Sequence, residues 1–164
     1  MAKIFMIVGN TGSGKSTFSA VLSAQEKAHI FCVDEWMVNL FWTDAPDPPS
    51  YEWALERTQR IETQMLAESA KLIKNGVNVI LDIGFFAKSQ RSRVQQFFKQ
   101  KTIETAIYYL DVDKDTRWFR VNKRNTEATA TFRFHVSEEI FEFCETIFEP
   151  LDAIELKDAV ILSP

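Results

Sequence analysis

Cysteine and histidine are scarce in this sequence: Cys32 and Cys144 stand far apart, and neither groups with His29 or His135 at metal-binding spacing. That distribution argues against a disulfide-stapled fold and against a Cys/His metal centre. It leaves buried free thiols, the state expected in a reducing compartment. No run approaches the roughly 18 apolar residues that a membrane helix needs. The apolar run near the N-terminus is short and leads into a glycine loop, which is not the layout of a secretory signal. A cytoplasmic location with no membrane contact is therefore expected. Positive charge is in deficit: 19 Lys+Arg face 23 Asp+Glu, for a formal charge of −4 and a pI near 5.3. Nucleic acid is disfavoured as the main partner, because a protein that coats it shows a basic face. Internal repeats and low-complexity tracts are absent as well.

What remains is an ordinary single-domain composition, 164 residues with 46% hydrophobic and 26% charged side chains. That length buries a substantial core without staples. The 14 phenylalanines are a heavy aromatic load, enough to line a pocket as well as a core. The most informative stretch runs from Ile4 to Thr17. Gly9, four intervening residues, then Gly14, Lys15 and Ser16 match the phosphate-loop pattern G-x-x-x-x-G-K-[ST] at every fixed position. Glycines let backbone N–H groups turn inward around an anion, and the helix that starts near Lys15 adds about half a positive charge at its N-terminus. Gly9, Asn10, Thr11, Gly12, Ser13, Gly14, Lys15, Ser16 and Thr17 are the expected nucleotide-binding residues. Lys15 supplies a point charge for the outer phosphates and the Ser16 hydroxyl a magnesium ligand. A flexible Gly/Ser loop with a chance lysine is the plain alternative, but the apolar run from Ile4 to Val8 reads as a buried strand feeding the loop.

Further along, Phe18, Val21 and Leu22 share one face of a helix over residues 17–25. His29 to Val33 reads as a second strand, with Asp34 where it ends. In open parallel α/β sheets ligands bind beyond the carboxyl ends of the strands, so Asp34 should face the phosphate-loop crevice. Residues 43–50 hold three prolines and read as a surface loop. Trp36, Phe41, Trp42, Tyr51 and Trp53 gather around it, either walling a substrate pocket or sealing the core. Residues 51–75 form the longest helix, stopped by Gly76. Residues 77–81 make a third strand closed by Asp82, and Ser89 is a candidate N-cap for the next helix. A fourth strand covers 104–111, a helix 113–125, a closing helix 137–148, and a fifth strand 156–162. Five strands alternating with helices point to a parallel α/β sheet with right-handed crossovers.

Two carboxylates at strand ends invite a division of labour. Asp82 would hold magnesium or its water, and Asp34 would take the proton of an attacking hydroxyl, with Glu35 a weaker base. The structural alternatives are that Asp34 caps the helix after it and that Asp82 accepts loop amides. Arg117, Arg120 and Arg124 fall on one helical face. They form either a lid that places Arg120 and Arg124 on the phosphates or a solvated basic face paired with Asp113 or Glu127. Arg133 lies in a threonine-rich segment, 126–136, that reads as mobile. Arg91 and Arg93 read as surface charges.

Taken together, GNTGSGKST, VDEW at 33–36, LDIGF at 81–85, RVNKRN at 120–125 and IFEP at 147–150 resemble a group of small bacterial P-loop proteins related to zeta toxin, chloramphenicol phosphotransferase and polynucleotide kinase. The resemblance implies a single-domain P-loop nucleoside triphosphate hydrolase fold, a five-stranded parallel sheet in order 2-3-1-4-5 with helices on both faces. It implies ATP and Mg2+ as cofactors and phosphorylation of a hydroxyl, with Asp34 as base and Lys15, Arg120 and Arg124 on the phosphates. A substrate loop at 36–53 and a lid at 120–136 complete it. Polynucleotide kinases carry an arginine shortly after the aspartate, where this chain has Glu35, Trp36 and Met37. A small-molecule hydroxyl acceptor is the leading expectation. The competing readings are an ATP-dependent switch with a protein partner and a nucleic-acid end kinase. A GTPase is disfavoured because NKRN at 122–125 lacks the aspartate of the guanine-reading N-K-x-D.

Overall fold

The structure, a computed structural model, describes residues 1–127 and 135–163. Its centre is strand β1 (Ile4–Val8), all five of whose side chains are buried. Burying an apolar side chain of this size is worth roughly 1.5–3 kcal/mol, so a charge anywhere in β1 would forfeit the core on one face or the other. Around it lie β2 (Ala28–Cys32), β3 (Asn78–Asp82), β4 (Thr105–Leu110) and β5 (Ala159–Leu162), in the order β2-β3-β1-β4-β5. Every pairing is parallel, with Met6 opposite Leu81 on one side and Ile107 on the other. The order implied by the family resemblance is the order found.

Because strand side chains alternate, β1 feeds two cores. Phe5 and Ile7 pack with Leu22 of α1 (Lys15–Glu26). Ile4, Met6 and Val8 join a larger cluster. It holds Met37 of α2 (Val33–Phe41), Met65 of α3 (Tyr51–Lys74) and Val94 and Phe98 of α4 (Lys88–Lys99). Two further helices, α5 (Lys114–Glu127) and α6 (Glu138–Ile147), enclose a satellite cluster of Val121, Val136 and Phe141. One turn, α7 (Glu155–Asp158), precedes β5.

Several boundaries move from their sequence-based positions for local reasons. The second strand stops at Cys32, and Val33 and Asp34 open α2. Asp34 therefore sits inside the first helical turn, where a carboxylate favours the helix dipole but is not the cap. Ser50 caps α3 by accepting the Trp53 N–H at 3.2 Å. At the other end Gly76 (φ 78°) lets the Gly76 N–H reach Ile73 O and the Val77 N–H reach Leu72 O, both at 3.0 Å, the paired bonds of a Schellman stop. The cap residue of α4 is Ala87, not Ser89, and offers no side-chain bond; the Glu149 carboxylate accepts the Lys88 N–H at 2.5 Å in its place. Residues 156–158, expected in the last strand, belong to α7. Residues 128–134, which contain Arg133 and most of the threonine-rich segment, lie outside the described residues.

Arg91 is the clearest departure. Read from sequence as a surface charge, it is fully buried, whereas Arg93 is exposed and paired with Glu62. The Arg91 guanidinium donates to both oxygens of Glu155 at 2.7 and 2.9 Å. It also donates to the carbonyls of Phe85 (3.1 Å), Glu149 (2.8 Å) and Pro150 (3.3 Å). Five bonds match its five donors, which is what makes a buried cation tolerable. Arg91 and Glu155 are 64 residues apart, so no local pattern announces the pair.

Arg91→Ala should strand Glu155 and three carbonyls and cost about 3–5 kcal/mol in urea denaturation, with a smaller loss when Glu155 is also replaced by leucine. The neighbouring acids predict a pH dependence. The Arg91 hydrogen bonds hold Glu155 below the usual carboxylate range, and the Lys88 bond draws Asp152 down to about 2. Depressed acids stabilise the fold above their unfolded values, about 4, and lose that contribution as pH falls toward 2. Acid titration of stability should show this loss, and Asp152→Asn should flatten part of it.

Candidate functional site

All five strands run the same way, so the turns after β1, β2, β3 and β4 open on one edge of the sheet. The β1 turn is the glycine loop. Gly12 (φ 81°) and Gly14 (φ 96°) hold left-handed backbone, and Gly14 is the N-cap of α1. Gly12 is also fixed by contact: a Cβ there would lie 2.5 Å from the Arg117 carbonyl oxygen and 3.0 Å from Val121 Cγ2. Helix α5 thus rests directly on the loop. Lys15 Nζ folds back to donate to Gly9 O at 2.9 Å and Asn10 O at 3.3 Å. Ser16 and Thr17 are exposed at the start of α1, whose first N–H groups have no intrahelical acceptors, as at any helix start.

Ser16 Oγ donates to Asp82 Oδ2 at 2.8 Å. Asp82 is buried at the end of β3, so the hydroxyl and the carboxylate from 66 residues away form one preset pair. Among the described residues no cluster of three or more acidic, histidine or cysteine side chains could hold a metal alone. This suits magnesium, which keeps several waters and takes one or two protein oxygens plus substrate phosphates. The donor set of Ser16 and Asp82 fits that habit.

Asp34 is exposed at the start of α2. Its charge acts on Arg124 and, together with that of Lys15, on the Cys144 thiol, which also bonds Thr11. Asp34 is therefore within electrostatic reach of Arg124 and Cys144, as Lys15 is of Cys144. Burial draws the Arg124 guanidinium downward, Asp34 partly restores it, and its buried Nε finds no hydrogen-bond partner among the described residues. Such a group carries the cost of an unpaired donor. Arg120 Nη1 donates to Ser13 O at 3.3 Å, keeping it beside the loop. Burial, with Asp82 next, pushes the Cys32 thiol up to about 11, and burial raises Cys144 too.

Arg117, grouped in sequence with Arg120 and Arg124, has a different place. It is buried and forms a two-pronged pair with Glu145 of α6 at 2.6 and 2.9 Å, not with Asp113 or Glu127. It also donates to Thr11 O at 3.2 Å and Val112 O at 2.9 Å. Asn10 Nδ2 reaches Glu145 Oε1 at 2.5 Å, while Asn10 Oδ1 accepts the Thr11 N–H at 2.7 Å. Asp113 is spent on α5, accepting from Thr116 N and Oγ1. Sequence reasoning missed Glu145, since only an acid facing the loop from a helix 135 residues beyond Asn10 could have revealed it.

The aromatic residues divide. Trp36, Phe41 and Trp53 pack against the main core, with the Arg57 guanidinium 4.2 Å from the Trp53 ring centre. Trp42 and Tyr51 stay exposed, and Tyr51 meets Phe143 of α6 edge-on at 5.1 Å. The core-sealing expectation holds for Trp36, Phe41 and Trp53.

The glycine loop, the Ser16–Asp82 pair and the strand order define a P-loop protein of the kinase-like class. The chain belongs to the AAA_33 family, described as an AAA domain, which matches residues 4–151. No curated protein matches it in sequence. Its fold is similar to that of Kti12 of Chaetomium thermophilum, solved with ADP-AlF3 (TM-score 0.72, 15% identity, 98% of this chain and 88% of that one). It is similar also to the APS kinase CysC of Mycobacterium tuberculosis, solved with AMPPNP and APS (TM-score 0.69, 14% identity, 99% and 88%). A chain of the Pnkp1/Rnl/Hen1 RNA repair complex reaches 25% identity (TM-score 0.62), with 88% of this chain covering 43% of that one.

Gly12→Ala should force α5 off the loop and demand left-handed backbone of an alanine, itself worth about 1–2 kcal/mol. Calorimetric titration should show nucleotide affinity at least about tenfold weaker, with a lowered melting temperature.

Proposed function

We propose that the chain is an ATP-dependent kinase that transfers the γ-phosphoryl group to a hydroxyl of a small molecule. The observation that carries this reading is the second carboxylate. Asp82 ends β3 and is bonded to Ser16; Cys32 pairs with Asp82 across the sheet, so Asp34 follows two residues past the neighbouring strand end, within electrostatic reach of Arg124 and Cys144. A nucleotide switch needs the loop and one acid; transfer to a hydroxyl also needs a base near the acceptor.

In this reading the loop N–H groups and Lys15 cradle the phosphates, Lys15 exchanging its two carbonyl bonds for phosphate oxygens. Magnesium, when bound, would be held by the Ser16 hydroxyl with Asp82 on its water, and would neutralise charge on the phosphate oxygens. The acceptor oxygen forms a bond to the γ-phosphorus as the bond to the β,γ-bridging oxygen breaks, ADP departs, and the acceptor proton passes to Asp34. Arg124, desolvated and with an open donor, is suited to the charge on the moving phosphoryl group, and Arg120 to holding the lid helix on the loop. The acceptor side is assigned to residues 36–53 and the lid to 120–136. The acidic balance and the residues after Asp34 favour a small molecule over a nucleic-acid end.

Incubation with γ-labelled ATP, magnesium and the small-molecule fraction of a cell extract should transfer label to a hydroxyl compound. Asp34→Asn should reduce transfer by about 10²–10⁴-fold with ATP affinity kept within about twofold, whereas Lys15→Glu should abolish ATP binding. Slow hydrolysis indifferent to every small acceptor would sink the kinase reading.

A further inference from the structure

Asn10 is buried at the hub of the glycine loop. Its carbonyl accepts from the Ser13 N–H at 3.1 Å and from Lys15 Nζ at 3.3 Å, and its Oδ1 accepts the Thr11 N–H at 2.7 Å. These bonds stay within the loop and the residue that follows it. The bond from Asn10 Nδ2 to Glu145 Oε1, at 2.5 Å, crosses to α6. A carboxylate only accepts and a backbone N–H only donates, so Glu145 on one side and Thr11 on the other leave the Asn10 amide a single orientation. The acid on α6 therefore fixes from outside which atom of Asn10 meets the loop backbone.

A site whose donors are backbone amides cannot correct their aim by rotating a side chain. Its affinity depends on the loop holding the binding shape before the anion arrives. Here the Thr11 and Ser13 N–H groups are used on Asn10, while the first amides of α1, from Lys15 to Thr17, lack intrahelical acceptors. Releasing the Asn10 side chain would free the Thr11 N–H and loosen the carbonyl on which Lys15 rests. The loop would then populate other shapes, and the share of molecules competent to bind would fall.

A carboxylate beside a phosphate loop would by itself repel the ligand. Glu145 is offset by Arg117, which donates to both of its oxygens at 2.6 and 2.9 Å and to Thr11 O at 3.2 Å. A second ion pair joins α5 to α6, Lys114 with Glu142 at 2.7 Å, but both side chains are exposed, and among the described residues neither hydrogen-bonds the loop. The two pairs thus separate contact with the loop from contact between the helices.

We propose that Glu145 is a positioning residue of the nucleotide site, acting through Asn10 to preset the glycine loop for a triphosphate. This role rests on the part of the kinase reading that places nucleotide on the loop, and it is independent of the acceptor. Calorimetric titration of the full chain with Mg·ATP, and with magnesium tripolyphosphate as a ligand that lacks the base, tests it. Glu145→Gln and Asn10→Ala should each weaken both ligands about tenfold. The double variant should lose no more than the larger single loss, because the two changes break one link. Glu142→Gln should keep both affinities within about twofold. A carboxylate acting by charge alone gives the opposite sign, since Glu145→Gln would leave Arg117 without its counter-charge beside the phosphates and tighten binding. Unchanged or tighter binding in Glu145→Gln, additive losses in the double variant, or an equal loss in Glu142→Gln would overturn the proposal and leave the kinase reading standing. Where melting shows Glu145→Gln unfolded, Asn10→Ala, which keeps the Arg117–Glu145 pair, decides alone: wild-type affinity there overturns the role. Wild type that takes up neither ligand would remove both readings.

Discussion

The ion pair between Arg117 and Glu145 is the contact on which the arrangement of the crevice depends. One guanidinium binds a carboxylate on α6 and a carbonyl of the glycine loop, and the same carboxylate binds Asn10 of that loop. Three segments from the beginning, middle and end of the chain meet at one pair of side chains. Buried pairs of this kind contribute little net stability, because desolvation offsets most of the attraction; what they fix is geometry, since each charge tolerates only the arrangement that satisfies the other. Gly12 against the α5 backbone says the same in steric form.

A consequence is that the loop, α5 and α6 are joined at their shared contact. Arg120 on Ser13 O, Arg117 on Thr11 O and the α5 carbonyl against Gly12 leave the base of α5 no room to swing independently. Arg124, two turns beyond Arg117, then reaches the crevice from a docked helix, and its position beside Asp34 follows from that docking.

The fold was legible in the sequence because its signals are local. Ile4 to Val8 is an unbroken apolar run, the glycine loop has fixed spacing, and Gly76 marks a helix stop that backbone geometry requires. Asp82 could be found at a strand end by the same logic, and Asp34 two residues past one. Arg91 and Glu145 could not. Each is a charged residue in an ordinary helical pattern, and its place is decided by a partner many tens of residues away. Arg117 was misgrouped for a related reason: helical spacing puts three arginines on one face but says nothing of which turn of that face meets a carboxylate. The aromatic residues around 36–53 were found as a group, and only packing separates those sunk in the core from those left at the surface.

The two thiols beside the crevice have a chemical consequence of their own. With Cys32 pushed up to about 11, only about one molecule in ten thousand carries a thiolate there at neutral pH, and Cys144 is shifted the same way. Sulfur is intrinsically the better nucleophile, yet here it is held in its inert, protonated form. Both side chains are thereby kept from slow damage by peroxide or electrophiles, which attack the thiolate.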